Sequence, residues 1–221
     1  ADTSRTMVRP VISISGTALN AGTGTKNDPF KIDAAKNTLT QLGLTESVGT
    51  PDFSKTSCSD GCEESTVGIY KTQDDLGTSY YFRGDVENNY VLFADYYWRI
   101  IRINGEGSIR MIYDGTSAHD NGESSTDRRT ETNTFNKIFP GNTYVGYMYG
   151  TSGASTYAET HTNTNSSTIK GTLDTWYTNN IKNTTNEQYI VDAIYCNDRE
   201  VSTADTNYTG DGSGTTKTAY K

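Results

Sequence analysis

Aliphatic side chains are scarce in this chain: hydrophobic residues fill only 33% of its 221 positions, below the usual share for a globular domain. No apolar run approaches the roughly 20 residues of a membrane-crossing helix, so a helical span is not expected within these residues. Basic charge is short too, with 19 Lys and Arg against 27 Asp and Glu and a net charge of −8. Phosphate backbones and anionic lipid surfaces both recruit basic patches, so neither nucleic acid nor lipid attraction fits. The first ten residues, ADTSRTMVRP, lack a charged segment followed by an apolar one, and no signal peptide is visible. A mature secreted chain and a cytoplasmic chain both look like this. Histidine occurs twice and cysteine three times, which leaves a small inventory for acid–base or nucleophilic chemistry.

What is present is tyrosine, 16 of them, with long runs of Thr, Ser, Asn and Gly. Tyr buries a large ring while keeping a hydroxyl for water or a partner, so it suits thin cores and exposed contact surfaces alike. The Thr/Ser/Asn/Gly bias solvates well and offers turns throughout, as expected of a secreted or wall-exposed protein. The length accommodates one large domain or two small ones.

The densest apolar stretch is YVLFADYYWRIIRINGEGSIRMIYDG, residues 90–115. With the TVGIYKT and TSYYFRGD segments before it, and turns at residues 85–89 and 104–107, it predicts an antiparallel meander. Alternation fails at Ile100-Ile101, which marks a strand apolar on both faces or a bulge, and makes residues 97–103 the central strand. Trp98, Ile100, Ile101, Ile103, Ile109, Met111 and Ile112 form the candidate core. Arg99, Arg102 and Arg110 read as the solvent-side or sheet-edge counterparts of those residues. Upstream, VRPVISI predicts a strand carried by Val8, Val11, Ile12 and Ile14. A tight turn at residues 22–29 and a short strand at 30–32 follow it. Residues 33–43 read as a short helix with Asp33 at its N-cap. A tyrosine-bearing strand is expected around Tyr144, Tyr147 and Tyr149. The best helix starts at Ser167 or Thr168 and carries Ile169, Leu173, Trp176, Tyr177 and Ile181 at helical spacing. Residues 187–198 resume β structure, and residues 199–221 read as coil. The fold class is therefore α+β, mainly β: an antiparallel meander, one amphipathic helix and long polar loops.

The sequence around Cys58 and Cys62, SCSDGC, suits a small disulfide loop in an oxidising compartment and leaves Cys196 free or paired between chains. Zinc is the weaker rival, since four ligands would need His119 or His161 as well. Both histidines lie in polar loops without strand or helix support, and the expectation is that they are solvated. No Ser-His-Asp or Cys-His arrangement is indicated by spacing. Cys196 is the one nucleophile candidate, with a buried strand-end cysteine or half of a disulfide the stronger reading. Two Asp/Gly-rich segments, residues 114–127 and 205–214, offer oxygens to calcium, but neither has the EF-hand spacing, and solvated turns are favoured.

Several blocks occur together: GIYKTQDDLGTSYYFRGDVENNYVLFADYYWRIIRINGEGSIRMIYDG, YVGYMYG, STIKGTLDTWYTNNI and DAIYCNDRE. In that order they resemble a repeat domain of large cell-surface proteins of Gram-positive bacteria and their wall-less relatives. VRPVISISGTALNAGTGTKNDPFKI resembles the end of the same domain, where the family's closing strand lies. The domain is distantly similar to the C-type-lectin-like fold of formylglycine-generating enzymes, without their paired active-site cysteines. In this chain the closing strand comes first, so residues 1–33 read as a closing-strand segment and residues 34–221 as the main β-rich domain. Two explanations stay open: a piece cut across a tandem array, or a strand supplied to a neighbouring subunit, a route to fibres.

What the resemblance and the residues imply together is an extracellular, surface-located structural protein without enzymatic activity. It would be a unit of a repetitive or self-assembling fibre or wall array, its partners neighbouring copies of itself. The assembly residues on this reading are Val8, Val11, Ile12 and Ile14, with Tyr144, Tyr147 and Tyr149 as contact rings. The alternative is an adhesin with a C-type-lectin-like surface that reads a glycan or a host protein through those tyrosines.

Overall fold

The computed structural model describes residues 6–16, 21–31, 44, 46, 68–137, 148–151, 162–193, 195–198 and 217–220. The chain divides into two compact units. One comprises residues 1–8, 130–182 and 192–221, and the other residues 9–129 and 183–191. The protein is mainly β.

The second unit is built on a seven-stranded sheet. Its strands are β2 (Val11–Ile14), β3 (Phe30–Lys31), β4 (Gly68–Asp74), β5 (Gly77–Arg83), β6 (Tyr90–Phe93), β7 (Tyr96–Ile103) and β8 (Ile109–Gly115). The order runs β2-β8-β7-β5-β4, and β6, which carries β3, pairs with the early part of β7. Every pairing is antiparallel except β3 with β6. The sheet therefore branches at β7: Tyr96–Arg99 face β6, while Arg102 and Ile103 face β5. As expected from its apolar density, residues 97–103 form the central strand.

One face of β7 and β8 makes the core, with Trp98, Ile100, Ile109 and Met111 each 1% exposed or less and Ile103 nearly so. Ile14 joins them from β2 across its pairing with Ile109. Trp98 stands edge-on to Tyr113 at 5.5 Å, and its indole N–H donates to the Phe93 carbonyl at 3.0 Å. Ile101 and Ile112 are only half-buried. The register between β7 and β8 shifts between Ile100 and Arg102, so the broken alternation at Ile100-Ile101 is a bulge. A second shift separates Tyr97, paired with Gly115, from Trp98, paired with Tyr113. Asp114 is the extra residue, and the bulge turns its side chain to the inside, fully buried.

Two turns fix the meander. β6 and β7 join through Ala94 and Asp95, both at positive φ (53° and 63°), as a type I′ hairpin requires. No Gly or Asn announces this turn. The β7–β8 turn passes close under the β4–β5 turn: a Cβ on Gly105 would sit 2.3 Å from Asp74 Oδ1 and 2.6 Å from the Gly77 nitrogen. Asp74 fastens the two turns by accepting from the Gly105 N–H at 3.0 Å and from the Arg102 guanidinium at 2.5 Å.

β2 pairs with β8 of the same chain, Val11 opposite Ile112 through Ile14 opposite Ile109. Its far side is met at one end by residues 189–191: the Ser15 N–H donates to the Tyr189 carbonyl and the Val191 N–H to the Ser13 carbonyl.

The first unit holds three two-stranded pairs: β1 (Thr6–Val8) with β9 (Glu131–Asn133), β10 (Met148–Tyr149) with β11 (Asn165–Ser166), and β12 (Tyr195–Asp198) with β13 (Lys217–Tyr220). Its helix α1 spans Thr168–Asn180, and Ser167 is the N-cap, its hydroxyl accepting from the Lys170 N–H at 3.2 Å. Ile169 and Ile181 are its buried apolar ends, while Leu173, Trp176 and Tyr177 are half-buried, a thinner contact than the five-residue stripe implies. Two expectations are corrected. Residues 187–189 form a 3-10 turn, not a strand, and Lys217–Tyr220 of the expected coil forms β13. The expected helix at residues 33–43 lies outside the described residues.

Candidate functional site

The face of β7 opposite Trp98 is also covered, and charge covers it. Arg99 is 6% exposed, which corrects the expectation that it faces solvent. Its guanidinium lies 3.9 Å over the ring of Tyr90, the residue opposite it on β6. It donates to Asn89 Oδ1 at 2.6 Å, to the Val86 carbonyl, and to the His119 carbonyl at 3.3 Å. One side chain thus gathers two loops, residues 84–89 and 116–129, that the apolar pattern of the sequence leaves unexplained.

Asp114, turned inward by its bulge, is the second node. Its Oδ1 accepts from Arg9 at 3.2 Å and from Arg128 at 2.9 and 3.0 Å, and its Oδ2 from the His119 N–H at 3.3 Å. Arg9 also donates twice to the Tyr113 carbonyl, at 2.9 and 2.6 Å. Burial pushes the Tyr113 hydroxyl up to about 12. A fully buried carboxylate is tolerated when paired and hydrogen-bonded, and both conditions hold here.

His119 is the third node and another correction: it is 4% exposed, not solvated. Glu123 Oε1 lies 2.9 Å from its Nδ1, and Asp127 lies 2.9 Å from its Nε2. Burial would lower the histidine's proton affinity, but the hydrogen bonds that the ring donates to the two carboxylates outweigh it and raise the imidazole above its ordinary value. The hydrogen bond from His119 holds Glu123 below the usual carboxylate range. For Asp127 burial acts upward, yet bonds from Ser125, His119 and Thr116 hold it far below. Ser117 Oγ is 3.3 Å from Nε2, so serine, histidine and acid do meet here. They do not make a nucleophile, because that nitrogen already faces Asp127 and Ser117 donates to the same carboxylate.

Beside this network is a cavity of about 410 Å³ walled by three turns. Thr25, Lys26 and Asn27 come from the tight turn before β3, Asp85, Val86 and Glu87 from the turn before β6, and Asp120 and Asn121 from the loop after β8. Tyr90 of β6 lines it as well. Lys26 spans to Asp120 at 3.0 Å, and Asn121 donates to Asp85, so the three turns are tied to one another.

The expected site residues scatter. Val8, 3% exposed, pairs with Glu131 in the first unit, while Val11, Ile12 and Ile14 lie in the sheet of the second, Val11 alone being exposed. Tyr149 is buried at 6% on β10, so it is no open platform. Tyr144, Tyr147, Cys58, Cys62 and His161 lie outside the described residues. In the segment weighed for calcium, residues 114–127, Asp114 and Asp127 are engaged by arginine and histidine, and among the described residues no group of three or more His, Cys, Asp or Glu is placed to hold a metal ion. Among the described residues no helix is long and apolar enough to cross a membrane.

Sequence reasoning placed Arg99 and His119 in solvent and passed over the burial of Asp114, because apolar periodicity does not say what covers the polar face of a central strand, a bulged strand end or a loop. The signals in reach were the acids four and eight residues beyond His119 and the acid directly after the apolar IRMIY run. No protein-family model, no curated protein and no solved structure matches this chain.

Proposed function

We propose that this chain is a non-catalytic structural module of an extracellular surface protein, one unit of a repetitive or self-assembling array. The observation that carries this reading is β2. The segment that resembles the closing strand of a surface-protein domain, although first in the chain, runs along β8 at the side of the sheet. The register that seats Val11–Ile14 there accepts the same strand from this chain or from an adjoining copy, and strand supply of this kind links subunits into arrays. The charged groups support the same reading, since Arg99 and Asp114 bind backbone and one another's neighbours, and the His119 ring is taken up by Glu123 and Asp127, so among these described residues no free base stands beside a nucleophile.

The test is native-state size by light scattering and electron microscopy over a range of concentrations, for the full chain and for a variant lacking residues 1–16. The reading expects oligomers or filaments from the full chain, their loss on truncation, and their return when a VRPVISI-bearing copy is added. A full chain that stays monomeric at every concentration overturns it.

A second reading, a binding module for a glycan or a host protein, has the cavity in its favour. Its wall is dense in hydroxyl, carboxamide and carboxylate groups, the groups that hydrogen-bond sugar hydroxyls. A glycan array answers it: saturable binding lost in Asn121→Ala supports a lectin-like module, and a blank array with filaments on the grid favours the structural one.

A further inference from the structure

The loop of residues 116–129 carries five acidic or basic side chains besides His119, and its own contacts converge on that imidazole. The two ring nitrogens each face a carboxylate oxygen at 2.9 Å. A neutral imidazole has one N–H and one lone pair, so one of those contacts would set a lone pair against an anionic oxygen. Only the imidazolium donates on both sides. Nor do the acids take up the proton instead. Asp127 also accepts from the Thr116 N–H at 3.2 Å, the Thr116 hydroxyl at 3.1 Å and the Ser125 hydroxyl, while Glu123 Oε2 accepts from the Asp120 N–H at 3.1 Å. Oxygens already addressed by several donors stay ionised.

Charged and titratable groups also face this loop from the strands packed against it. From β8, Asp114 accepts the His119 N–H, and from β6 the Tyr90 hydroxyl donates to the His119 carbonyl at 2.6 Å. From β7, Arg99 donates to the same carbonyl. Arg128 holds Asp114 and also donates to the Glu123 carbonyl, and Lys26 pairs with Asp120, the next residue along.

We propose that His119 is a pH-operated latch: as an imidazolium it holds the loop of residues 116–127 closed on itself by drawing Glu123 and Asp127 to one ring, and on losing its proton it lets the loop loosen and opens the cavity wall formed by Asp120 and Asn121. The inference does not depend on whether the chain is an array unit or a binding module. Its sign follows from the raised proton affinity of the folded imidazole. The latch contributes fully below the ordinary histidine value of about 6.5, and the contribution is lost as pH rises through the higher folded value. Alkaline pH opens it; mild acid closes it.

The chain has two histidines, His119 and His161, so a His161→Asn variant leaves a single imidazole to follow by NMR. Its ring signal is expected to titrate above the free-histidine value. In parallel, amide exchange at Asp120 and Glu123, corrected for the intrinsic rise with pH, should quicken about tenfold or more between pH 6 and pH 9. Asp127→Asn should move that transition to lower pH. His119→Gln, which hydrogen-bonds but never charges, should exchange at every pH as the parent does at pH 9. An imidazole that titrates at or below the free value overturns the latch. So does loop exchange that only tracks the intrinsic trend, or a His119→Gln variant that keeps the pH response.

Discussion

Replacing Asp114 with Asn tests whether the charged side of the sheet holds the second unit together. Asp114 is fully buried and receives Arg9 and Arg128 on one oxygen and the His119 N–H on the other. Asparagine keeps one carbonyl oxygen for the guanidinium groups. It also removes the compensating charge and turns an N–H₂ toward either the His119 N–H or an arginine, where donor meets donor. Breaking a buried pair from one side costs about 3–5 kcal/mol. The arginine side chains are 31% and 16% exposed, so water recovers part of that loss and about 3 kcal/mol is expected. With a urea dependence of about 2 kcal/mol per molar, the unfolding midpoint should fall by about 1.5 M. Trp98, fully buried in β7, reports on this unit by fluorescence once Trp176 on α1 is changed to Phe. Adding Arg9→Met to the Asp114→Asn protein should recover part of the loss, because it removes one of the cations left unpaired. A midpoint within about 0.3 M of the parent, with unchanged slope, would refute the view that this carboxylate braces the unit.

Three further outcomes follow from turn and helix positions. Gly105→Ala places a methyl group 2.3 Å from Asp74 Oδ1 and 2.8 Å from the Leu76 carbonyl carbon, and thermal unfolding should show a loss of about 2–3 kcal/mol. Gly171→Ala on the open face of α1 meets no atom within 4 Å and should gain about 1 kcal/mol. Ala94→Asn with Asp95→Gly gives the β6–β7 turn residues that prefer positive φ and should raise the sheet's denaturation midpoint by an amount worth about 1 kcal/mol. At low pH the sign reverses from that of His119. Burial would raise Asp74, but the N–H groups of Gly105 and Leu76 and the Arg102 guanidinium hold it below the usual carboxylate range, as His119 helps hold Asp127. Their stabilisation is therefore complete above about pH 4 and lost as pH falls through the lower folded values, so urea midpoints should decline below pH 4 and decline less in Asp74→Asn.

The apolar half of the fold was legible because it obeys periodicity. Trp98 and Ile100 on β7, and Ile109 and Met111 on β8, alternate along their strands, and their burial follows directly. So did the failure of alternation at Ile100-Ile101, which is a bulge. Ser167 as N-cap was legible for a local reason, since its hydroxyl serves an N–H three residues on. The Ala94-Asp95 turn was not, because neither residue advertises positive φ; the strong pairing of Tyr90–Phe93 with Tyr96–Arg99 imposes it. The same holds for Asp114. Its inward turn comes from a one-residue register shift between strands, a tertiary event with no counterpart in composition or spacing.

That shift bears on why so polar a chain folds at all. One face of β7 and β8 carries the aliphatic and aromatic core, and the other carries Arg99, with Asp114 and His119 gathered at its end under turns of Asn, Asp and Gly. An apolar residue in place of Arg99 would bury as well and lose no desolvation energy. It would, however, take from the Val86 carbonyl and the Asn89 carboxamide the donor that Arg99 supplies, and leave the His119 carbonyl to the Tyr90 hydroxyl alone. What the charged side supplies is therefore position more than stability. Long polar loops, which cannot collapse onto a hydrophobic surface, are held by a few strong directional bonds, and such bonds are sensitive to protonation where greasy contacts are not. A loop fastened through an imidazole is the natural outcome of building one face of a module from charge.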